Sequence, residues 1–193
     1  MPSTLDQLLD SIHPRRTLDE TARRAEEAVN SFAKDSSQIT DWEEFRTYVS
    51  RFFCHVEAHV LRMRSAPEFD EEFAWDRCLK VIKRAFGANG EKAAYEMART
   101  GNQGGLYAVL KKVAQTLAEQ YAHNEITGRV YAYWNELSVE QQLAAGQEYL
   151  DKYGHLLPSE LTEQSGARVR TNLPTVLEKH PDLMQRLGDI GRS

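Results

Sequence analysis

Phe52 to Arg64 reads FFCHVEAHVLRMR and crowds Cys54, His55, Glu57 and His59 into six residues. All four are side chains that bind transition metals, and histidine and glutamate also serve as acid–base catalysts. Whether they can act together depends on the backbone that carries them. The flanking apolar residues have helical spacing, and on a helix His55 and His59 lie about 40° apart, so both can point toward one ion. Glu57 is two residues from each and falls about 160° away, while Cys54 lies about 100° from His55 and farther from His59. The stretch reduces to a histidine pair. It is also not the HExxH of zinc proteases, in which glutamate adjoins the first histidine as general base.

Two histidines do not hold a metal alone, so a second helix must bring the protein ligands to three or four. Glu119 and His123 have the same four-residue spacing and fall on the side that Ile126, Val130 and Trp134 make apolar. A metal set, under this alternative, would be His55, His59, Glu119 and His123 with Zn or Fe as the ion, whereas the favoured expectation is that no cofactor is bound. The Glu-x-x-His pattern of carboxylate-bridged di-iron bundles is not matched, because the spacing here is one residue longer and no second copy follows. The competing expectation for the same side of the helix needs no cofactor. Tyr48, His55, His59 and Arg62 would form a polar seam beside the apolar stripe, sensitive to pH because histidine titrates near neutrality.

Other chemistry is sparser. TGNQGG before LYAVLKK sets a glycine-rich loop ahead of a helix, a place for an anion beside Lys111 and Lys112, but GxxxxGK[ST] and GxGxxG are both absent and no strand precedes it. No Gly-x-Ser-x-Gly elbow occurs. Asn124 falls on the stripe of Leu110, Val113 and Leu117, to be buried there or exposed at a bend. Tyr121, Tyr131, Tyr133 and Trp134 at helical spacing point to core more than to an aromatic surface.

The elements that must position these residues all read as helices. Expected spans are 4–12, 18–34, 41–65, 70–86, 91–99, 106–137 and 139–155, with capping boxes at Thr17/Glu20, Thr40/Glu43 and Ser138/Gln141. Core stripes follow from the 3.6-residue period: Leu18, Ala22, Ala25, Val29 and Phe32; Trp42, Phe45, Val49, Phe52, Phe53, Val56, Val60 and Met63; Trp75, Cys78, Leu79, Ile82 and Phe86; Val139, Leu143, Gly146, Leu150 and Tyr153. In 106–137 the stripe rotates between Leu106, Leu110, Val113, Leu117 and Ile126, Val130, Trp134, which suggests two parts with Gly128 as a bend. Beyond residue 157, Pro158, Gly166, Pro174, Pro181, Gly188 and Gly191 cut the chain into short pieces. The expected fold is all-α: an antiparallel or orthogonal bundle of about five or six main helices over 1–157, with a C-terminal arm, 158–193, packed on it.

Composition narrows the partners. The 193 residues carry a net charge of −5 with lysines and arginines dispersed, which disfavours a nucleic-acid backbone binder despite a mild basic excess after Gln164. Two cysteines without CxxC spacing fit a reducing cytoplasm, and no stretch has the apolar length of a bilayer span. A protein partner or a homo-oligomer is expected, and the functional expectation is a non-enzymatic interaction or regulatory module. Its rival is a metal-dependent enzyme or metal sensor centred on His55 and His59.

Overall fold

The computed structural model describes residues 1–12, 14–32, 39, 41–63, 68–100, 104–156 and 162–179, and among them no strand occurs. The fold is all-α. Its helices are α1 (Thr4–Ile12), α2 (Pro14–Phe32), α3 (Trp42–Val60), α4 (Glu71–Phe86), α5 (Gly90–Thr100), α6 (Gly105–Glu136), α7 (Val139–Tyr153) and α8 (Thr162–Lys179), with a 3-10 turn at Gly154–Leu156.

Helix starts follow the capping chemistry, with two displacements. Ser138 and Gln141 form the full reciprocal box at α7, and Asp70 caps α4 through the Phe73 amide. At α3 the cap is Asp41, whose carboxylate accepts from the Glu44 amide at 2.8 Å, one residue on from the expected Thr40, which lies outside the described residues. Thr17 caps nothing. Helix α2 begins earlier, at Pro14, a residue suited to a first turn because that turn's N–H has no helical acceptor. Gly87 ends α4 at φ 94°, a conformation that a side chain would strain, and GANG is a helix-to-helix turn as its flanks predict.

The chain divides into two compact units, and the expected boundary after residue 157 falls inside one of them. One unit is Asp19–Tyr121. Its core joins Ala25, Ala28 and Val29 of α2 to Phe45, Val49, Phe52, Phe53, Val56 and Val60 of α3, Trp75, Cys78 and Ile82 of α4, and Leu106, Leu110, Val113 and Leu117 of α6. Phe45 and Phe52 are wholly buried, and truncating either to alanine should cost about 3–5 kcal/mol. The stripe of α2 is shifted: Thr17 and Thr21 are buried, whereas Ala22 is exposed. Met63, expected at the end of the α3 stripe, is also exposed.

The other unit is Met1–Leu18 with Ala122–Ser193. Leu5, Leu8 and Ile12 of α1 share a core with Ile126, Val130 and Trp134, with Ala145 and Tyr149 of α7, and with Val169, Leu173 and Leu177 of α8. Arg129 donates to the Thr17 hydroxyl at 2.9 Å and to the Ile12 carbonyl at 3.5 Å, which ties α1 and the start of α2 to α6. Helices α7 and α8 approach closely at Gly146, where a Cβ would sit 2.6 Å from Arg170 Cα. Val139 and Leu143, expected in the α7 core stripe, are 71% and 43% exposed. Helix α8 breaks at Asn172 (φ −152°, ψ 60°), just before Pro174, whose ring would collide with the preceding turn. Pro158, Pro181, Gly188 and Gly191 lie outside the described residues.

The rotating stripe of 106–137 belongs to one continuous helix of 32 residues rather than two. Nine residues at about 100° each set Ile126 half a turn from Leu117, so neither stripe can continue into the other. Each serves the core of its own unit, and Gly128 marks no interruption.

Candidate functional site

Helix α3 is amphipathic, and its Phe/Val stripe fixes which sides meet α2 and α6. The histidine side meets α2. His55 Nε2 and Ser31 Oγ are hydrogen-bonded at 2.9 Å, and the imidazole packs against Phe32 at 5.4 Å between ring centroids. Phe32 also packs against Tyr48 and Phe52. One turn on, His59 Nε2 lies 3.6 Å from Glu27 Oε2, with the two histidine rings 6.0 Å apart. Burial and the neighbouring His59 hold the His55 pKa below its usual value, and a hydrogen bond toward the Ala28 carbonyl opposes them.

The opposite side of α3 reaches α4 and α6 through Glu57. Its carboxylate, 13% exposed, accepts from Arg77 Nη2 on one oxygen and from the Tyr121 hydroxyl at 2.7 Å on the other. Burial and the Glu57 bond push the Tyr121 hydroxyl well above its ordinary pKa, so it stays a donor at any physiological pH.

Of the residues expected as a metal set, His55 and His59 lie on α3, and Glu119 and His123 on α6. Glu57, not the histidine pair, faces Tyr121 of α6, and the pair lies about 160° round the helix from it. His55 and His59 meet Ser31 and Glu27 of α2, and Glu119, two residues before Tyr121 on α6, is exposed. His123 is half-buried farther along α6. Among the described residues no group of three or more His, Cys, Asp or Glu side chains is placed to hold a metal.

Of the residues expected as a polar seam, Tyr48 and His55 share Phe32 and His59 meets Glu27, while among the described residues Arg62 shows no side-chain contact with them. Arg62 is the residue after the α3 C-cap, with φ 54°: its N–H donates to the His59 carbonyl and that of Met63 to the Ala58 carbonyl. That is a Schellman ending with arginine where glycine is usual. Arg24 of α2 completes it by donating to the Val60 carbonyl at 3.0 Å.

Cys54 is half-buried and Cys78 buried, both free, and burial raises both thiols despite the nearby Arg77. Neither is a nucleophile in waiting. Residues 101–103 of TGNQGG lie outside the described residues, while Lys111 and Lys112 are exposed on α6. Asn124 is exposed. Trp134 is buried, and the half-buried Tyr131 and Tyr133 bond Glu178 and Gln7 respectively.

Sequence reasoning missed the surface that Arg77 supports. The Arg77 guanidinium lies 5.4 Å from the Phe53 centroid and 4.9 Å from that of Phe73, so the Glu57 pair and two rings fix it. Phe73 is 61% exposed, and Phe69, four residues before it and also exposed, lies under Arg51 at 5.3 Å. Leu61 and Met63, at the other end of the α3–α4 connection, are exposed as well. A signal was available: Phe69 and Phe73 fall outside the stripe of Trp75, Cys78 and Ile82.

The fold and these contacts define a class, an all-α protein whose unit Asp19–Tyr121 carries a histidine-lined helix contact and an arginine-backed aromatic edge. Comparison with models of known protein families, with characterised proteins and with solved structures returns no match.

Proposed function

We propose that the protein is a non-enzymatic interaction or regulatory module that binds a protein partner, or a second copy of itself, through the exposed aromatic edge of Phe69 and Phe73. The observation that carries this reading is Phe73, a large ring left 61% exposed and held in place by an arginine that is itself held by Glu57. Aromatic residues, methionine and arginine are the side chains that interfaces favour, and a preordered anchor loses little conformational entropy on binding. Two free, protonated thiols suit a reducing compartment such as the cytoplasm. Among the described residues no helix is long and apolar enough to cross a membrane. A dispersed charge pattern favours protein over nucleic acid as the partner. The rival, a metal enzyme or sensor at His55 and His59, has weaker support because α2 offers them Ser31 and one carboxylate.

The test is photo-cross-linking from a benzoylphenylalanine placed at position 73, with position 43 as control, followed by affinity measurements on the purified pair and sedimentation of the protein alone. Phe73→Ala should weaken the complex, hetero- or homomeric, at least about tenfold while Tm moves little, the signature of a hot spot rather than a core residue. Equal affinity of wild type and the Phe69→Ala/Phe73→Ala double variant for the captured partner would refute the assignment.

A further inference from the structure

In the unit Asp19–Tyr121 a cleft of about 370 Å³ opens between α2 and the first half of α6. Its floor is apolar, formed by the buried Ala25, Val29 and Ala114. One wall carries Asp19, Ala22, Arg23 and Glu26, and the other Tyr107, Lys111 and Gln115. The charges on these walls are unequally engaged. Arg23 is committed to Glu27 outside the cleft, at 2.6 Å. Asp19, Glu26 and Lys111 show no ion pair or side-chain hydrogen bond among the described residues, which leaves carboxylates on the α2 wall and an ammonium on the α6 wall.

The α6 wall has a second ordered feature. Tyr107 is 41% exposed and lies one turn before Lys111, so its ring and the ammonium share one side of the helix. A molecule in the cleft would meet an acceptor wall, an apolar floor and a donor wall beside an aromatic face. The volume falls in the range of small-ligand sites, and recognition by a few placed charges over an apolar floor is how such sites select.

We propose that this cleft binds a small zwitterion with an apolar body, of the size of a dipeptide. Its ammonium sits against Glu26, its carboxylate against Lys111, and its side chain over Ala25, Val29 and Ala114 toward Tyr107. A dipeptide fits better than a free amino acid because its two charges can stand up to about 7 Å apart, far enough to reach toward both walls of the cleft, rather than only two bonds apart. The assignment uses none of the residues of the Phe73 edge and stands or falls apart from it.

The experiment is an NMR titration of the ¹⁵N-labelled full chain with Ala-Phe, Phe-Ala, Ala-Leu and Leu-Ala, each up to about 10 mM, with N-acetyl-Ala-Phe and Ala-Phe-amide as single-charge deletions. Saturable shifts on residues 19–29 and 107–115 are expected for at least one dipeptide, with a Kd on the order of 0.1–1 mM, ordinary for fewer than about twenty heavy atoms. Each charge-deleted probe, and each of Glu26→Gln and Lys111→Gln, should weaken binding at least about fivefold. The two exposed substitutions should leave the spectrum elsewhere unchanged, so loss of binding is separable from loss of fold. Absence of saturable shifts with all four dipeptides overturns the proposal, as does binding that both variants and both derivatives leave intact.

Discussion

Glu57→Ala removes two hydrogen bonds at once and strands a guanidinium between two phenyl rings. The Tyr121 bond is to a largely buried carboxylate, 13% exposed, and bonds to charged groups contribute about 1.5–3 kcal/mol. Arg77 is 32% exposed, so solvent screens its half of the site, and we assign it about 1 kcal/mol. The expected loss is about 2.5–4 kcal/mol, with about 1.5–3 kcal/mol for Tyr121→Phe and about 1 kcal/mol for Arg77→Met. Because both donors need the same carboxylate, the losses must not add: Glu57→Ala/Tyr121→Phe should be hardly less stable than Glu57→Ala alone. Native-state hydrogen exchange of α3 amides at increasing urea reads this unit directly. A Glu57→Ala cost within about 0.5 kcal/mol of wild type, or full additivity of the double variant, would show that the three-helix junction is a surface ornament.

Two further outcomes follow from the ends and the seam of α3. Arg62→Gly should stabilise the protein by about 0.5–1 kcal/mol in urea denaturation, because φ 54° strains a residue with a Cβ by more than glycine's added chain entropy costs; a destabilisation would mean that the arginine side chain has an undetected role. His55 has a pKa lowered in the folded chain, so the unfolded chain binds its proton first as pH falls. Stability from this group is fully present above pH 6.5 and is lost as pH drops from there through the lower folded value. Denaturation midpoints between pH 7.5 and 5 should decline less steeply in His55→Gln, and an unchanged slope would exclude the residue as a pH-sensitive element.

What the amino-acid pattern disclosed depended on how much apolar mass each helix carries. Helix α3, with six phenylalanines and valines among its seven core positions, could be read nearly residue by residue. Helix α7 could not: its buried face holds Ala145, Gly146 and Tyr149, and Leu143 lies about 120° round from Tyr149 and is exposed. The larger aliphatics drew the stripe to the wrong side, because the close approach at Gly146 leaves room only for small residues. In α2, Thr17 and Thr21 occupy core positions that a hydrophobicity count gives to Leu18 and Ala22. Spatial neighbours were hidden throughout. Nothing in one sequence says that α2, rather than α6, would face the histidines.

The angle that removed Glu57 from the chelate also explains its actual role. A residue about 160° from His55 and His59 cannot join them, and for the same reason it reaches the far side of α3, where α4 and α6 supply a guanidinium and a phenol. The two sides then carry different burdens. Glu57 is sequestered and committed, so its value is in holding Arg77 rigid beneath Phe73. The histidine side is open enough for His59 and Glu27 to stay in contact with water, and on it His55 carries the pH sensitivity. If the Phe73 edge is the interface, substitution at Glu57 should lower partner affinity through Arg77 without touching the partner, whereas substitution at His55 should shift stability and leave affinity alone. A Glu57→Gln variant that folds and binds as tightly as wild type would separate the junction from the interface, and the rigid-anchor argument would fail.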